Sequence, residues 1–452
     1  MEIIKKNIEK LLENVAIENE KLCLALTDRV ELTDYTPNGE IWTSALQCAL
    51  NEHEVVIIPR GKKPYIIDGP VTIPSNRHII ANEGAVIRLL HGTRVLMMRN
   101  ENTRDGTHAP ITDPRDVNIT IEGGLWEDWC PHRLGYGNSG MYDSNRSFFG
   151  VSTLMLFNNI NNLTLKNMTF KNCGGFAVQL GDISRVIIEN IRFDSCFADG
   201  IHLNGNAESV HIKNVSGEVG DDLVALNMFD WQNSSINFGP CNNVICEDLT
   251  LAQSSHYKAL RIEPGIYTYD DGSFVDCSLT NAIIRRVSGI KTFKLYCQTP
   301  PYAPGEEPER ADVGSGDNIF FEDIKIDLDS PIDNLDEYLD SDPIKGTIAG
   351  FELGLNAKSI YLKNIDITLH KDKYPYSYLL CIGPKSARFA DGREAFDPYF
   401  SSTVENIYLE GITVNGEAPK DISPYVREIA FDKLYDNTPS SGKGKINNII
   451  YK

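Results

Sequence analysis

Two aspartates and a histidine recur at nearly the same place in successive stretches of this chain. Val186, Val210 and Val244 each open a segment reading apolar, any, apolar, any, Asn/Asp, apolar, and Asp199, Asp222 and His256 follow those starts by 13, 12 and 12 residues. Asp221 adjoins Asp222, and Lys294 lies 12 residues after a similar start at Ala282. If the segments stack as rungs about 4.8 Å apart, these side chains form one compact column. Carboxylates held that close repel one another, so at least one keeps a proton above the usual range and the cluster divides into an acid and a base. Asp-Asp and Asp-Gly are also common turn dipeptides, and Asp serves calcium sites in stacked-strand solenoids; the lysine and histidine in register favour chemistry. On an ideal strand one of two adjacent acids points into the core, where an unpaired carboxylate is strongly disfavoured. Gly220 is therefore expected to mark a bend that turns Asp221 and Asp222 toward one cleft.

The elements that must position this column read as strands. Alternation at period two gives a strand with one buried face, and the Asn/Asp makes a corner cheaply. The same start occurs at Ile119, Leu163, Ala282, Ile319, Ile360 and Ile407, at intervals of 23 to 47 residues. A fixed core with loops of varying length is the pattern of a parallel β-helix, because every coil buries its strands on the coil before while its turns grow freely. A sandwich would show frequent hairpin turns of about two to five residues, and these are sparse. The expected fold is all-β: a single-stranded right-handed parallel β-helix over residues 38–452, with a helical leader over 1–37. In the leader, residues 2–25 place Ile3, Ile4, Ile8, Leu11, Leu12 and Val15 at helical spacing, an amphipathic helix suited to capping one end or to forming a homo-oligomer. A second short helix after Asn38 is expected to cover the open end of the core.

Composition narrows the partners. Against 43 basic residues stand 63 acidic ones, a net charge of −20, which argues against nucleic acid and anionic membrane surfaces. The N-terminal stretch carries charge every few residues and lacks the apolar core of a signal peptide, so a cytoplasmic location is expected. Ten cysteines are scattered rather than framed; they read as reduced core thiols. Cys241 and Cys246 find no second pair, so neither a metal nor a cofactor is expected.

Long loops at 227–241, 266–277 and 298–317 follow the column and are expected to flank a cleft. Phe229, Trp231, Tyr267, Tyr269 and Tyr302 offer faces for sugar stacking, or anchor their loops. Arg261, Glu263, Lys294, Asn204, Asn227 and Lys258 join Trp231 as candidate substrate contacts.

FADGIHLNG, GEVGDDLVALN and SSHYKALRIE resemble the three successive motifs of the polygalacturonase family of glycoside hydrolases, written NTDG, GDD and GHG followed by RIK. The opening EIWTSALQCALNE and the later ITIEGGLW resemble that family's first coils, so the similarity spans roughly residues 38–300. The resemblance implies inverting hydrolysis: Asp221 protonates the leaving oxygen, Asp199 and Asp222 activate water, and His256 supports the acid. Inverting enzymes in general separate acid and base by roughly 6.5–9.5 Å.

The chain departs from the pattern in places. Phe197-Ala198 replaces Asn-Thr, and Ser255 and Tyr257 replace the glycines beside the histidine. The basic pair matches either Arg261 with Glu263, by local text, or Lys294 with Tyr296, by coil register; in both matches the second basic residue is lost. That pair reads a uronate carboxylate in the family, so the expected substrate is an oligosaccharide of neutral or differently charged sugar, attacked from its end. A uronate lyase or epimerase, using Lys294, Arg261 or Lys258 as base, and a non-catalytic carbohydrate-binding β-helix are the alternatives.

Overall fold

The computed structural model describes residues 2–93, 96–103, 114–128, 153–230, 235–269, 271–296, 313–329, 347–383, 385–386, 395–396, 401–429 and 443–452. The chain forms a parallel β-helix. All nine predicted strand starts lie on one ladder: Ile119 pairs with Leu163, Leu163 with Val186, and Val186 with Val210. The ladder continues through Val244, Ala282, Ile319, Ile360 and Ile407. It extends one rung further at the C-terminal end, to Ile449, and at the other end through Arg77's strand to Val55–Ile58 and Arg29–Glu31.

The corners are the Asn/Asp positions. Asn190, Asn214 and Asp248 have φ of 57°, 52° and 57°, the left-handed region that these two residue types enter at least cost. Their side chains run along the stack, Asn214 Nδ2 donating to Asn190 Oδ1 at 2.7 Å and Asn190 Nδ2 to Asn167 Oδ1 at 2.9 Å. One apolar core runs inside the coils from Leu32 to Ile446. The eight described cysteines are free, six of them buried; Cys130 and Cys297 lie outside the described residues.

Helix α1 (Glu2–Leu24) neither caps an end nor leaves its apolar stripe open to a second copy. It lies lengthwise across the outside of the coils. Ile8 and Leu12 pack on Ile245, Ile283 and Phe320. Lys5 donates to Glu322 at 2.5 Å, Arg285 to Glu9 at 2.6 Å, and Asn19 to the Arg185 carbonyl at 3.0 Å; near the other end Cys23 Sγ is 3.2 Å from His78 Nδ1. The geometry matches: 23 residues rise about 35 Å at 1.5 Å each, the height of about seven rungs. No helix among the described residues is long and apolar enough to cross a membrane.

Helix α2 (Thr43–Glu52) buries Ala45, Leu46, Ala49 and Leu50 in the N-terminal end of the core, as the second helix was expected to. The expected boundary at residue 37 falls inside the solenoid, because Arg29–Glu31 already pairs with Val55–Ile57.

Candidate active site

Five parallel strands, Ile201–Asn204, Val224–Asn227, Ala259–Ile262, Thr292–Tyr296 and Ile348–Gly354, lie side by side on one face of the solenoid. Alternation sends Ile201, Leu203, Val224, Leu226, Leu260 and Ile262 into the core and turns His202, Asn204, Asn227 and Arg261 outward. Arg261 is the rung partner of Lys294, and Lys294 of Glu352.

The acids enter from the turns that precede the first two strands. The Gly200 N–H donates to the Asp222 carbonyl at 3.0 Å, and the Asp222 N–H donates to Asp199 Oδ1 at 3.2 Å, so the two turns are stitched together. Gly220 makes the bend possible by close approach: a Cβ there would lie 1.9 Å from the Phe197 carbonyl oxygen. Asp199, Asp221 and Asp222 each place one carboxyl oxygen within 4.8 Å of the others. The predicted column of carboxylates is therefore present, and tighter than the roughly 6.5–9.5 Å expected between an inverting acid and base.

Burial divides the three. Asp199 is 2% exposed and Asp222 0%, whereas the Asp221 side chain is 23% exposed. Arg261 binds the cluster together, with Nη2 3.4 Å from Asp221 Oδ1 and Nε 3.4 Å from Asp222 Oδ2 and 3.5 Å from Glu263 Oε1. Burial, with the charge of Asp221, pushes the Asp199 carboxyl up to about 6, against the pull of His202 and Arg261. Burial holds Asp222 well above the usual range; Arg261 opposes it, and the charges of Asp221 and Asp199 add to it. Neither oxygen of Asp222 receives a hydrogen bond from a described residue. A buried carboxyl in that state carries a proton or accepts from a bound hydroxyl or water.

The remaining predicted residues fall into place unevenly. His256 is exposed and outside the tight cluster; its neighbour Tyr257 is buried, its ring 5.2 Å from the Arg261 guanidinium and 5.0 Å from Lys294 Nζ. Lys258 commits two of its three N–H donors to its own turn, to the Ala252 carbonyl at 3.1 Å and the Gln253 carbonyl at 2.5 Å. Asn204 is fully buried and committed to the protein. Its Oδ1 accepts from Gln179 Nε2 at 3.0 Å and the Ile236 N–H at 3.2 Å, and its Nδ2 donates to the Asn227 carbonyl at 3.1 Å. Asn227 is 2% exposed and Glu263 0%; Glu263 compensates Arg261 from a place a substrate does not reach.

Arg261 and Lys294, expected as alternatives, stand together on adjacent rungs. Counting from strand starts put Lys294 beside His256. The turn before Arg261's strand spans 252–258 while the one before Lys294's spans only 289–291, which moves the register to Arg261. Trp231, Tyr302 and most of the 298–317 loop lie outside the described residues. Phe229, Phe238 and Tyr267 pack on one another, Phe238 on Tyr267 at 3.9 Å, and Tyr269 meets Tyr267 edge-on. These aromatics anchor the loop.

Sequence reasoning missed His202 and Asp230. His202 is 1% exposed and lies with Nδ1 2.5 Å from Asp199 Oδ2 and Nε2 3.0 Å from Asp230 Oδ2. The signal for His202 was in the text: a polar residue at the first outward position after Asp199, between core residues Ile201 and Leu203. Asp230, on a loop, carried none.

No family model matches the chain, and no curated protein matches it. Among solved structures it resembles the exopolygalacturonase of Thermotoga maritima, with a TM-score of 0.52 and 14% identity over 98% of this chain and 96% of that one. It also resembles the endo-xylogalacturonan hydrolase of Aspergillus tubingensis, with a TM-score of 0.49 and 13% identity over 93% and 100%, and the polygalacturonase of Erwinia carotovora, with a TM-score of 0.46 and 11% identity over 89% and 94%. The chain shares the parallel β-helix fold of the Thermotoga maritima exopolygalacturonase.

Proposed function

We propose that the protein is a glycoside hydrolase acting by inversion on the end of an oligosaccharide, with Asp221 as general acid and Asp199 and Asp222 as the groups that activate water. The observation that carries this is the cluster itself: three carboxyls within 4.8 Å, only one of them open to solvent. A general acid must touch the glycosidic oxygen, and Asp221 has the exposure to do so. A covalent nucleophile must bond to the anomeric carbon, and the closed Asp199 and Asp222 reach nothing larger than a water held among them. The burial of these two carboxyls favours inversion where the short spacing alone would suit retention.

The local charge favours a neutral sugar. Asp199, Asp221, Asp222, Asp230, Glu263 and Glu352 stand around His202, Arg261 and Lys294. Arg261 and Lys294 form a basic pair, but six carboxyls against three cations leave no net positive field to attract a carboxylated sugar, even with a proton on Asp222. A lyase or epimerase would need a base to take the proton; of its three candidates Lys258 donates to backbone carbonyls, Arg261 lies against three acids, and Lys294 is 2% exposed with its ammonium 5.0 Å from the Tyr257 ring and Glu352 as its rung partner.

The test is kcat/KM of Asp199→Asn, Asp221→Asn and Asp222→Asn on a nitrophenyl glycoside and on an unactivated oligosaccharide, with proton NMR of the first-formed anomer. Asp221→Asn should spare the activated substrate, whose leaving group needs no proton, and lose roughly 100-fold or more on the other. Both remaining variants should fail on either substrate. Retention of configuration, or equal damage by Asp221→Asn on both substrates, would reject the assignment.

A further inference from the structure

We infer that His202, braced from behind by Asp230, is the positioning residue that fixes the carboxylate of Asp199 for water activation. The inference rests on the reading of Asp199 given above, and its evidence is a buried line of three groups. Asp199 Oδ2 meets His202 Nδ1 at 2.5 Å, and His202 Nε2 meets Asp230 Oδ2 at 3.0 Å. Ionised carboxylates only accept hydrogen bonds, so a ring between two of them presents N–H on both nitrogens and is an imidazolium. Asn204, its amide oriented by the Ile236 N–H, holds Nδ2 3.2 Å from His202 Nε2 and 3.1 Å from the Asn227 carbonyl; the nearer Asp230 carboxylate, at 3.0 Å, takes the Nε2 hydrogen and leaves Nδ2 to donate to the carbonyl.

The ring has no freedom to turn. Phe176 stacks on it with centroids 4.1 Å apart and planes within 14°, and it is 1% exposed. Asp199 is consequently held at both oxygens, Oδ2 by His202 and Oδ1 by the Asp222 N–H at 3.2 Å. A base fixed at two points keeps its remaining lone pairs aimed at one place, which is what activating a single water requires. Charge acts in the same direction. Burial disfavours the imidazolium, but the hydrogen bonds and charges of Asp199 and Asp230 outweigh it and push His202 up to about 10. The groups facing this line are Asp199 from its turn, Asp230 from its loop, Asp221 and Asp222 from the next turn, and Arg261 beyond the Ala225 rung; Gln179, Asn204 and Phe176 are neutral. Without the imidazolium, Asp199 would keep Arg261 and the Asp222 N–H to counter burial and the charge of Asp221.

Two measurements test this. In ¹⁵N NMR of the whole protein, assigned by loss of the signal in His202→Gln, both ring nitrogens of His202 should remain protonated through pH 8, and in Asp230→Asn the ring should lose its proton at a pH lower by about one unit or more. A neutral ring at pH 7 in the wild type would overturn the inference without any appeal to activity. In kinetics, His202→Gln should lower kcat roughly 10- to 100-fold with KM little changed. It should also move the acid limb of the kcat/KM profile up by about one unit, because the base loses its cation. Asp230→Asn is the milder variant should His202→Gln not fold, and a fall in its kcat at unchanged KM supports the same role. A uniform loss at every pH with the limb unmoved marks His202 as merely structural. Asp199→Asn run alongside separates the two failures: wild-type activity in that variant defeats the hydrolytic reading itself, whereas an inactive Asp199→Asn beside an unmoved limb defeats only the role of His202.

Discussion

Arg261→Met should destabilise the protein strongly at neutral pH and much less in acid. The guanidinium lies 3.4, 3.4 and 3.5 Å from Asp221, Asp222 and Glu263, two of which are 0% exposed. At an effective dielectric near 20, each contact is worth about 5 kcal/mol of gross attraction. Most of that is cancelled by taking the cation out of water, and breaking such a buried pair from one side costs about 3–5 kcal/mol net. Methionine fills the space of the aliphatic stem and leaves the acids without their cation. The pH dependence follows from which state binds more protons. Asp199, at about 6, and Asp222 already hold their protons more tightly than in the unfolded chain. Stability from them is therefore full below about pH 4 and is lost as pH rises through their folded values. Removing Arg261 raises those values further, so the loss deepens between about pH 4 and 7. Urea denaturation followed by far-ultraviolet circular dichroism at pH 4.5 and 7.5 should show a deficit of about 3–5 kcal/mol at the higher pH, shrinking to about 1 kcal/mol or less at the lower. An equal deficit at both, or a larger one in acid, would show that Arg261 is not the cation compensating these carboxyls.

Two further outcomes follow from residues the structure reassigned. Leu12→Ala, in the helix that runs along the coils, should cost about 2–5 kcal/mol in denaturant and leave the hydrodynamic size unchanged at every concentration; a concentration-dependent dissociation instead would restore an oligomeric role to α1. Lys258→Met should lower the thermal midpoint, because the Ala252 and Gln253 carbonyls lose their donor, while KM stays within about twofold of wild type; a tenfold rise in KM would return Lys258 to the substrate.

The coils were legible because a parallel stack imposes the same demand on every rung. A residue entering the corner at positive φ must be one that tolerates it, and a residue four places before it must face the core, so Val186, Val210 and Val244 announce themselves by position alone. Rungs whose start is not apolar escaped, as at Arg77. The docking of α1 was not legible for a different reason. Amphipathic spacing says that one face of a helix is buried and leaves the covering surface open. The partners of Lys5, Glu9 and Asn19 are Glu322, Arg285 and Arg185, brought to one line only by the stacking of the coils between them.

Within the site, legibility tracked how directly each residue is tied to the repeat. Asp199 and Asp222 come from turns of matching length and were found by counting, whereas Arg261 and Lys294 follow turns of different length, so counting misaligned them and made one pair look like two alternatives. Strand pairing, not distance along the chain, decides which outward side chains become neighbours, and it put two cations side by side where the text showed each alone. Glu263, expected as a substrate contact, is instead a partner of Arg261. A residue two places beyond Arg261 shares its outward face, and a buried guanidinium facing Asp221 and Asp222 already has more acid than it can neutralise. Glu263, fully enclosed, adds a third carboxyl to one cation, and under the proposed function that excess offsets the basic pair of Arg261 and Lys294 and makes an anionic sugar the less suitable guest.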